Sequence, residues 1–136
     1  MILDTSILIG AERGAIRLAA LLDSLGDTPT AVAAITASEL LHGCHRAPSA
    51  AVRARRFAFV DALLGLLPTL PFGLGEARRH AELWAELARE GAPVGPHDML
   101  IGATALAGGH QLATLNVREF SRMPGLLLIP VDRFLT

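Results

Sequence analysis

Short apolar runs alternate with longer helical segments along the whole chain, and this alternation limits the possible folds most strongly. Consecutive strands separated by a helix pair in parallel, because a tight hairpin cannot join them. Parallel strands are normally covered by helices on both faces. We therefore predict that residues 1–136 form a single α/β domain. It should have three layers (α/β/α), with a central parallel sheet of about four or five strands.

The predicted elements follow from apolar spacing and from proline and glycine positions. Strands are predicted at 1–3, 30–35, 69–72, 111–115 and 126–131. Helices are predicted after Ser6 to about Leu25, from Thr36, over 50–67, over 75–90, from Asp98 to Gly108, and briefly over 116–123. Pro68 should end the third of these helices, and Gly91 should end the fourth. The nearly all-apolar segment after Asp98 should be a buried helix.

Composition excludes several classes of protein. Hydrophobic residues make up 51% of the chain and charged residues 18%, which excludes a disordered protein. All 12 basic residues are arginine, so phosphate-binding loops, Schiff-base enzymes and protein kinases, which need a lysine, are excluded as well. No apolar stretch is long enough to span a membrane, and no secretory signal is visible. We expect a cytoplasmic protein without a membrane partner.

Acidic and amide side chains follow the predicted strands. Asp4 ends the first strand, Glu39 follows the second, and Asn116 and Glu119 follow the fourth. Asp98 opens the helix that leads into the fourth strand. Because the carboxyl ends of parallel strands meet at one edge of the sheet, these side chains should converge there.

Two interpretations of this pattern are possible. Each residue alone is an ordinary helix-start residue, and both Thr36–Glu39 and Asn116–Glu119 have capping-box spacing. However, carboxylates brought together at a buried edge repel one another unless they are protonated or paired. With no lysine in the chain, a divalent cation is the natural partner, and carboxylate oxygens suit Mg²⁺ or Mn²⁺.

Four motifs carry a resemblance to a known family. They are Ile2–Ser6 (ILDTS), Thr36–Gly43 (TASELLHG), Pro93–Ile101 (PVGPHDMLI) and Ala113–Phe120 (ATLNVREF), the last followed by Pro124–Gly125. In order and spacing they resemble the PIN-domain ribonucleases, and more narrowly the VapC-type toxins of bacterial toxin–antitoxin pairs.

The resemblance implies a set of catalytic residues. Asp4 and Asp98 would be the principal ligands of Mg²⁺ or Mn²⁺, and Glu39 would complete the acidic cluster. A fourth group would come from Asn116 or Glu119. Many members have aspartate where this chain has Asn116, so both residues stay open for that role.

Neighbouring residues would support this chemistry. Thr5, Ser6 and Thr114 would orient the acids or bound water through hydrogen bonds. Arg118 and Arg122 are candidates for contact with RNA phosphates.

The resemblance also implies a function and partners. The chain would be a metal-dependent endoribonuclease toxin that cleaves structured RNA, such as a tRNA or rRNA loop, and is neutralised by a VapB-like antitoxin. The high apolar content and the resemblance both favour a homodimer, with the helices at 50–67 and 75–90 in contact. Two alternatives remain: a housekeeping PIN nuclease in RNA maturation, and an interaction module whose catalysis has decayed.

Overall fold

Five strands of two residues each form the sheet in the structure, a computed structural model that describes residues 1–136. They are β1 (Ile2–Leu3), β2 (Val32–Ala33), β3 (Thr69–Leu70), β4 (Leu112–Ala113) and β5 (Leu128–Ile129). All pairs are parallel: β4 lies between β1 and β5, and β2 pairs with β3. A parallel bridge between Ile2 and Ala31 joins the two groups, giving the order β3-β2-β1-β4-β5. The predicted parallel sheet is confirmed.

Seven α-helices connect these strands. They are α1 (Thr5–Glu12), α2 (Leu18–Ser24), α3 (Ala34–His45), α4 (Ala50–Leu66), α5 (Leu74–Glu90), α6 (Pro96–Gly108) and α7 (Val117–Phe120). A 3-10 helix at Asp132–Phe134, which the sequence analysis does not predict, follows β5. The α5 and α6 helices end at Gly91 and Gly109, whose φ angles of 64° and 65° place them in the left-handed region that glycine adopts without strain.

Alternate strand residues face opposite sides of the sheet and separate two hydrophobic cores. Leu3 packs in one core with residues of α1 to α4, whereas Ile2 packs in the other with residues of α5 and α6. Val32 and Ala33 divide between the two cores in the same way. Helices therefore cover both faces, which confirms the three-layer architecture. No helix is both long and apolar enough to cross a membrane.

The two predicted capping boxes are wrong. The α3 helix begins at Ala34, directly after β2, so Thr36 lies inside its first turn and Glu39 in its second. Asn116 precedes α7, but its side chain makes no capping hydrogen bond. Both helices start from the strand edge without a side-chain cap, which leaves these polar groups free for contacts with other elements.

The α6 helix is buried as predicted, and Gly102 allows its closest contact. A Cβ atom at Gly102 would lie 2.2 Å from the sulfur of Met123, which is 2% exposed. This contact is too close for any real side-chain carbon. The short connection after α7 therefore packs closely against α6 at Gly102, and a side chain there would displace Met123.

We predict that Gly102→Ala lowers the free energy of unfolding by about 1–3 kcal/mol, because Met123 must leave its rotamer in a filled core. Gly65→Ala is the matched control, since a Cβ there meets nothing within 4 Å on exposed α4. The control should stabilise the protein by about 0.5–1 kcal/mol. Urea unfolding measures both values, and equal stability of the two variants would contradict this packing.

Candidate active site

The candidate site lies where the order of strands reverses. From β1 the chain continues to β2 on one side of the sheet, while β4 lies on the other side. In open α/β sheets, ligands bind in the crevice at the carboxyl ends of the strands at such a point. Asp4 follows β1, Thr114 and Asn116 follow β4, and the first turn of α6 brings Asp98 to the same place.

Asp4 is held in the floor of this crevice by hydroxyl groups. Its side chain is only 3% exposed, and one carboxylate oxygen accepts hydrogen bonds from Ser6 Oγ and Thr114 Oγ1, each at 2.7 Å. Ser6 Oγ also accepts the backbone N–H of Leu115 at 3.0 Å, which ties α1 to the end of β4. Burial raises the pKa of Asp4, and the two hydroxyl bonds partly offset that rise. The structure thus brings the predicted Ser6 and Thr114 onto Asp4.

Asp98 belongs to a second group that Asn116 links together. The Asn116 amide donates to Asp98 Oδ2 at 3.2 Å and to Glu119 Oε2 at 3.0 Å. The other Glu119 oxygen accepts the backbone N–H of Gly95, which immediately precedes α6. The loop before α6 and the turn after β4 are therefore fastened to each other through side chains of the site.

The two acids of this second group have pKa shifts of opposite sign. Burial, followed by the charges of Asp4 and Glu119, raises the pKa of Asp98 to about 6. The Gly95 N–H, followed by the Asn116 amide, lowers the pKa of Glu119. Asp98 therefore takes up a proton first, and Glu119 stays ionised beside it.

Glu39 reaches the crevice from α3 through a third set of contacts. One oxygen accepts the Thr5 hydroxyl at 2.8 Å, and the other lies 3.5 Å from His97 Nδ1. The Thr5 hydroxyl also lies 3.0 Å from the buried Thr36 hydroxyl. The charge of Glu39 contributes to the raised pKa of Asp98, so the side chains of the two acids interact electrostatically.

The crevice contains acids without a matching cation from the protein. The ion pairs of the structure join Arg56 to Glu12, Arg79 to Glu82 and His97 to Glu39, and none includes Asp4, Asp98 or Glu119. No group of three or more His, Cys, Asp and Glu side chains is arranged to hold a metal ion. However, Mg²⁺ is typically held by only one or two carboxylates, with water and substrate phosphate completing its shell. The all-oxygen donor set of Asp4 and Asp98 fits that requirement.

The two arginines predicted to contact RNA differ in their surroundings. Arg118 is exposed on α7, with no hydrogen bond or ion pair from its guanidinium. Arg122 instead donates to the backbone carbonyl of Pro93 at 2.6 Å. That bond attaches the turn after α7 to the loop before α6.

The sequence analysis missed two residues of the site, Gly95 and Thr36. Gly95 binds Glu119 through its backbone, and a Cβ on it would lie 3.2 Å from a Glu119 oxygen. Its place in the Pro93–Pro96 segment before α6 was the available signal. Thr36 was interpreted as a cap, and the proximity of His97 to Glu39 depends on the packing of α3 against α6.

The raised pKa of Asp98 determines how the stability of the metal-free protein should change with pH. The pKa of Asp98 rises from 3.8 to about 6 on folding, so the folded state binds more protons between these values. The contribution of Asp98 to the free energy of unfolding should therefore fall as pH rises from about 4 to 7. We predict that Asp98→Asn stabilises the metal-free protein at pH 7.5 more than at pH 4.5.

Thermal unfolding in EDTA at the two pH values measures this effect. Asp61→Asn, at an exposed position on α4, is the control and should show no such difference. An equal shift of Tm at both pH values for Asp98→Asn would contradict the raised pKa.

Comparison with known sequences identifies relatives over nearly the full chain. The sequence model of the PIN domain family matches residues 1–126. Ribonuclease VapC1 of Rickettsia felis is 36% identical over 132 residues, which cover 97% of this chain and 96% of the relative. The tRNA(fMet)-specific endonuclease VapC of Salmonella typhimurium is 34% identical over 105 residues, covering 76% of each protein.

Solved structures show the same fold. The DNA-bound VapBC complex of Salmonella typhimurium contains a chain with a TM-score of 0.85 and 30% identity, covering 94% of this chain and 95% of that one. A chain of VapBC2 of Rickettsia felis, solved bound to a DNA fragment from the promoter, has a TM-score of 0.86 and 27% identity. The match covers 94% of this chain and 96% of that one. The chain therefore belongs to the PIN domain family and, within it, groups with the VapC ribonucleases.

Proposed function

We propose that this chain is a metal-dependent endoribonuclease that acts as the toxin of a toxin–antitoxin pair. The proposal rests on Asp4 and Asp98. Both lie in the crevice where the order of strands reverses, and no cation of the protein forms an ion pair with either of them. A purely structural role would not explain why the fold contains these unneutralised carboxylates. Two features favour a nuclease over a decayed interaction module: the hydroxyl groups on Asp4 and the relatives named as ribonucleases.

The acidic pair suits Mg²⁺ or Mn²⁺ as cofactor. A divalent cation there would lower the pKa of a bound water and offset the charge that develops on a phosphodiester during hydrolysis. Asp4 and Asp98 would hold it directly, and Glu39 would complete the acidic cluster from the side of α3. This arrangement requires no nucleophilic side chain.

The surrounding residues position these acids. Ser6 and Thr114 orient the Asp4 carboxylate by donating hydrogen bonds to one of its oxygens. Thr5 holds Glu39 in a similar way. Such supporting hydrogen bonds orient ligands and commonly affect metal affinity and activity by about tenfold to a hundredfold.

Asn116 and Glu119 share the fourth role in this proposal. Glu119 supplies negative charge, stabilised by the Gly95 N–H, while the Asn116 amide donor orients Asp98. Asn116 thus contributes a hydrogen bond where an aspartate would contribute a negatively charged ligand. Glu119 supplies a negative charge three residues later. The site keeps four acids: Asp4, Glu39, Asp98 and Glu119.

We propose structured RNA, such as a tRNA or rRNA loop, as the substrate. Relatives from Salmonella typhimurium and Shigella flexneri are named tRNA(fMet)-specific endonucleases. Loops expose unstacked bases and a bent backbone that can enter a crevice, unlike a continuous duplex. Arg118, which is exposed on α7, would contact a phosphate of this RNA.

We also propose a VapB-like antitoxin as the inhibitor. Structural neighbours are toxin–antitoxin complexes such as VapBC of Salmonella typhimurium. A guanidinium group from an antitoxin tail would satisfy the carboxylates of the crevice with charge-assisted hydrogen bonds, in place of a metal ion.

A homodimer is the proposed assembly of the chain. Large apolar side chains at the ends of α4 and along α5 are exposed, with Leu66 at 67%, Leu74 at 69% and Trp84 at 61%. Burying them against a second copy would remove this surface from water. Light scattering at micromolar concentration tests this, and a monomer mass would contradict it.

The proposed function predicts a specific pattern in one cleavage assay. Purified chain should cleave bulk tRNA or rRNA in Mg²⁺ or Mn²⁺, lose activity in EDTA, and lose it again when bound to the protein encoded beside its gene. Asp98→Asn should lower the single-turnover rate by at least about a hundredfold, because a direct ligand is lost.

The control is Asp61→Asn, which makes the same change at an exposed position on α4. It should leave the cleavage rate unchanged. Cleavage that persists in EDTA would contradict metal dependence. Activity that no neighbouring gene product inhibits would favour a housekeeping nuclease, whereas complete inactivity on RNA would favour the decayed module.

A further inference from the structure

A groove leads away from the candidate site along two helices. The α1 helix begins beside Asp4 and α3 carries Glu39, and both run from the crevice toward the opposite edge of the sheet. With α4 they enclose a cavity of 590 Å³, which includes Thr5, Glu39 and His97 at the end that opens to the site. The α1 residues that line it, Thr5, Ile9, Glu12 and Arg13, have the spacing of a single helix face. The groove is thus a continuation of the crevice.

The far end of the groove carries three arginines, of which two are unengaged. Arg56 donates to the Gly43 carbonyl at 3.0 Å and lies 3.7 Å from Glu12, so its charge is used within the fold. Arg13 and Arg46 are exposed and make no side-chain hydrogen bond or ion pair. They directly follow the last residues of α1 and α3, where a positive charge is favourable. Yet their guanidinium groups do not bond to the terminal carbonyls, so they remain available to a ligand.

The charge pattern along the groove matches a phosphodiester chain. At a rise of 1.5 Å per residue, Arg13 lies about 12 Å along α1 from Thr5, and Arg46 about 10 Å along α3 from Glu39. A polynucleotide whose reacting phosphate sits among the acids would therefore bring a phosphate a few nucleotides away to these arginines. A protein segment fits less well, because most of the lining residues are polar or charged rather than apolar.

We propose that this groove binds a single-stranded RNA segment that continues from the crevice, with Arg13 and Arg46 contacting its phosphates. This inference rests on the proposed nuclease function and adds a binding site that Arg118 does not provide. A cationic groove that follows the backbone is the usual means of holding single strands without reading their sequence. The groove would therefore determine how the RNA enters the site, while the sequence specificity comes from other contacts.

The test measures RNA affinity when cleavage is blocked by EDTA. Fluorescence anisotropy would follow a fluorescein-labelled, mixed-sequence RNA of about 15 nucleotides binding to the full chain at several salt concentrations. We expect Arg13→Gln/Arg46→Gln to weaken binding by about tenfold and to reduce the slope of log K against log salt by about 1.4, for two lost single-strand phosphate contacts.

Two further variants separate contact from general attraction. Arg53→Gln/Arg55→Gln removes the same charge from exposed positions on α4 outside the groove and should keep affinity within about twofold. Arg13→Lys/Arg46→Lys should recover most of the lost affinity, because the charge returns.

The outcomes that overturn the inference are distinct. Equal loss in the two Gln pairs would mean only long-range attraction, and an unchanged affinity of Arg13→Gln/Arg46→Gln would mean that RNA does not use the groove. If that variant instead bound the inhibitor protein less tightly, the groove would hold a protein segment. If the wild-type chain cleaves RNA in Mn²⁺, these results refute the groove alone, whereas a wild-type chain that neither binds nor cleaves RNA refutes the nuclease as well.

Discussion

The desolvation of Asp4 and Asp98 at the strand-order reversal, together with the repulsion that Asp4 exerts on Asp98, is the constraint on which the rest of the site depends. Asp4 lies there because it directly follows β1, the central strand of the sheet. The α6 helix brings Asp98 to the same crevice. Placing both charges in a poorly solvated position raises their pKa values and costs folding free energy. The fold accommodates this cost with hydroxyl and amide donors instead of arginines. It thereby leaves a negative site that an incoming cation would neutralise.

The same negative site would account for two proposed properties that otherwise look unrelated. A metal ion and the guanidinium group of an inhibitory tail would both neutralise the same unpaired carboxylates, so they would compete for one binding site. Arginines lie further away, Arg118 on α7 and Arg13 and Arg46 at the ends of α1 and α3. In the proposed complex, an RNA backbone would meet cations on both sides of the acidic crevice. The division suits a phosphodiester whose reacting group needs metal while its neighbours need direct positive contacts.

The alternation of strands and helices predicted the sheet, its parallel sense and the edge where the acids lie. These features depend on local apolar spacing and on general rules of connection, which a single sequence carries. Thr36 and Gly95 were missed because their site contacts, Thr36 with Thr5 and Gly95 with Glu119, join elements distant in the chain. Arg122 shows the same limit: its position beside the site was predictable, but the direction of its guanidinium toward Pro93 was not.

The capping boxes show why spacing alone can mislead. Thr36 to Glu39 has the required separation, yet α3 starts two residues earlier because β2 leads straight into it. Glu39 then faces Thr5 and His97 rather than its own helix terminus.

We propose that Asp4 and Asp98 together hold a divalent metal ion. Anomalous diffraction from crystals grown with Mn²⁺ tests it most directly, because the ion is located independently of any activity. We predict one anomalous peak in the crevice, in direct contact with a carboxylate oxygen of Asp4 and one of Asp98. A crevice without a peak, or an ion bound only elsewhere on the chain, would contradict it.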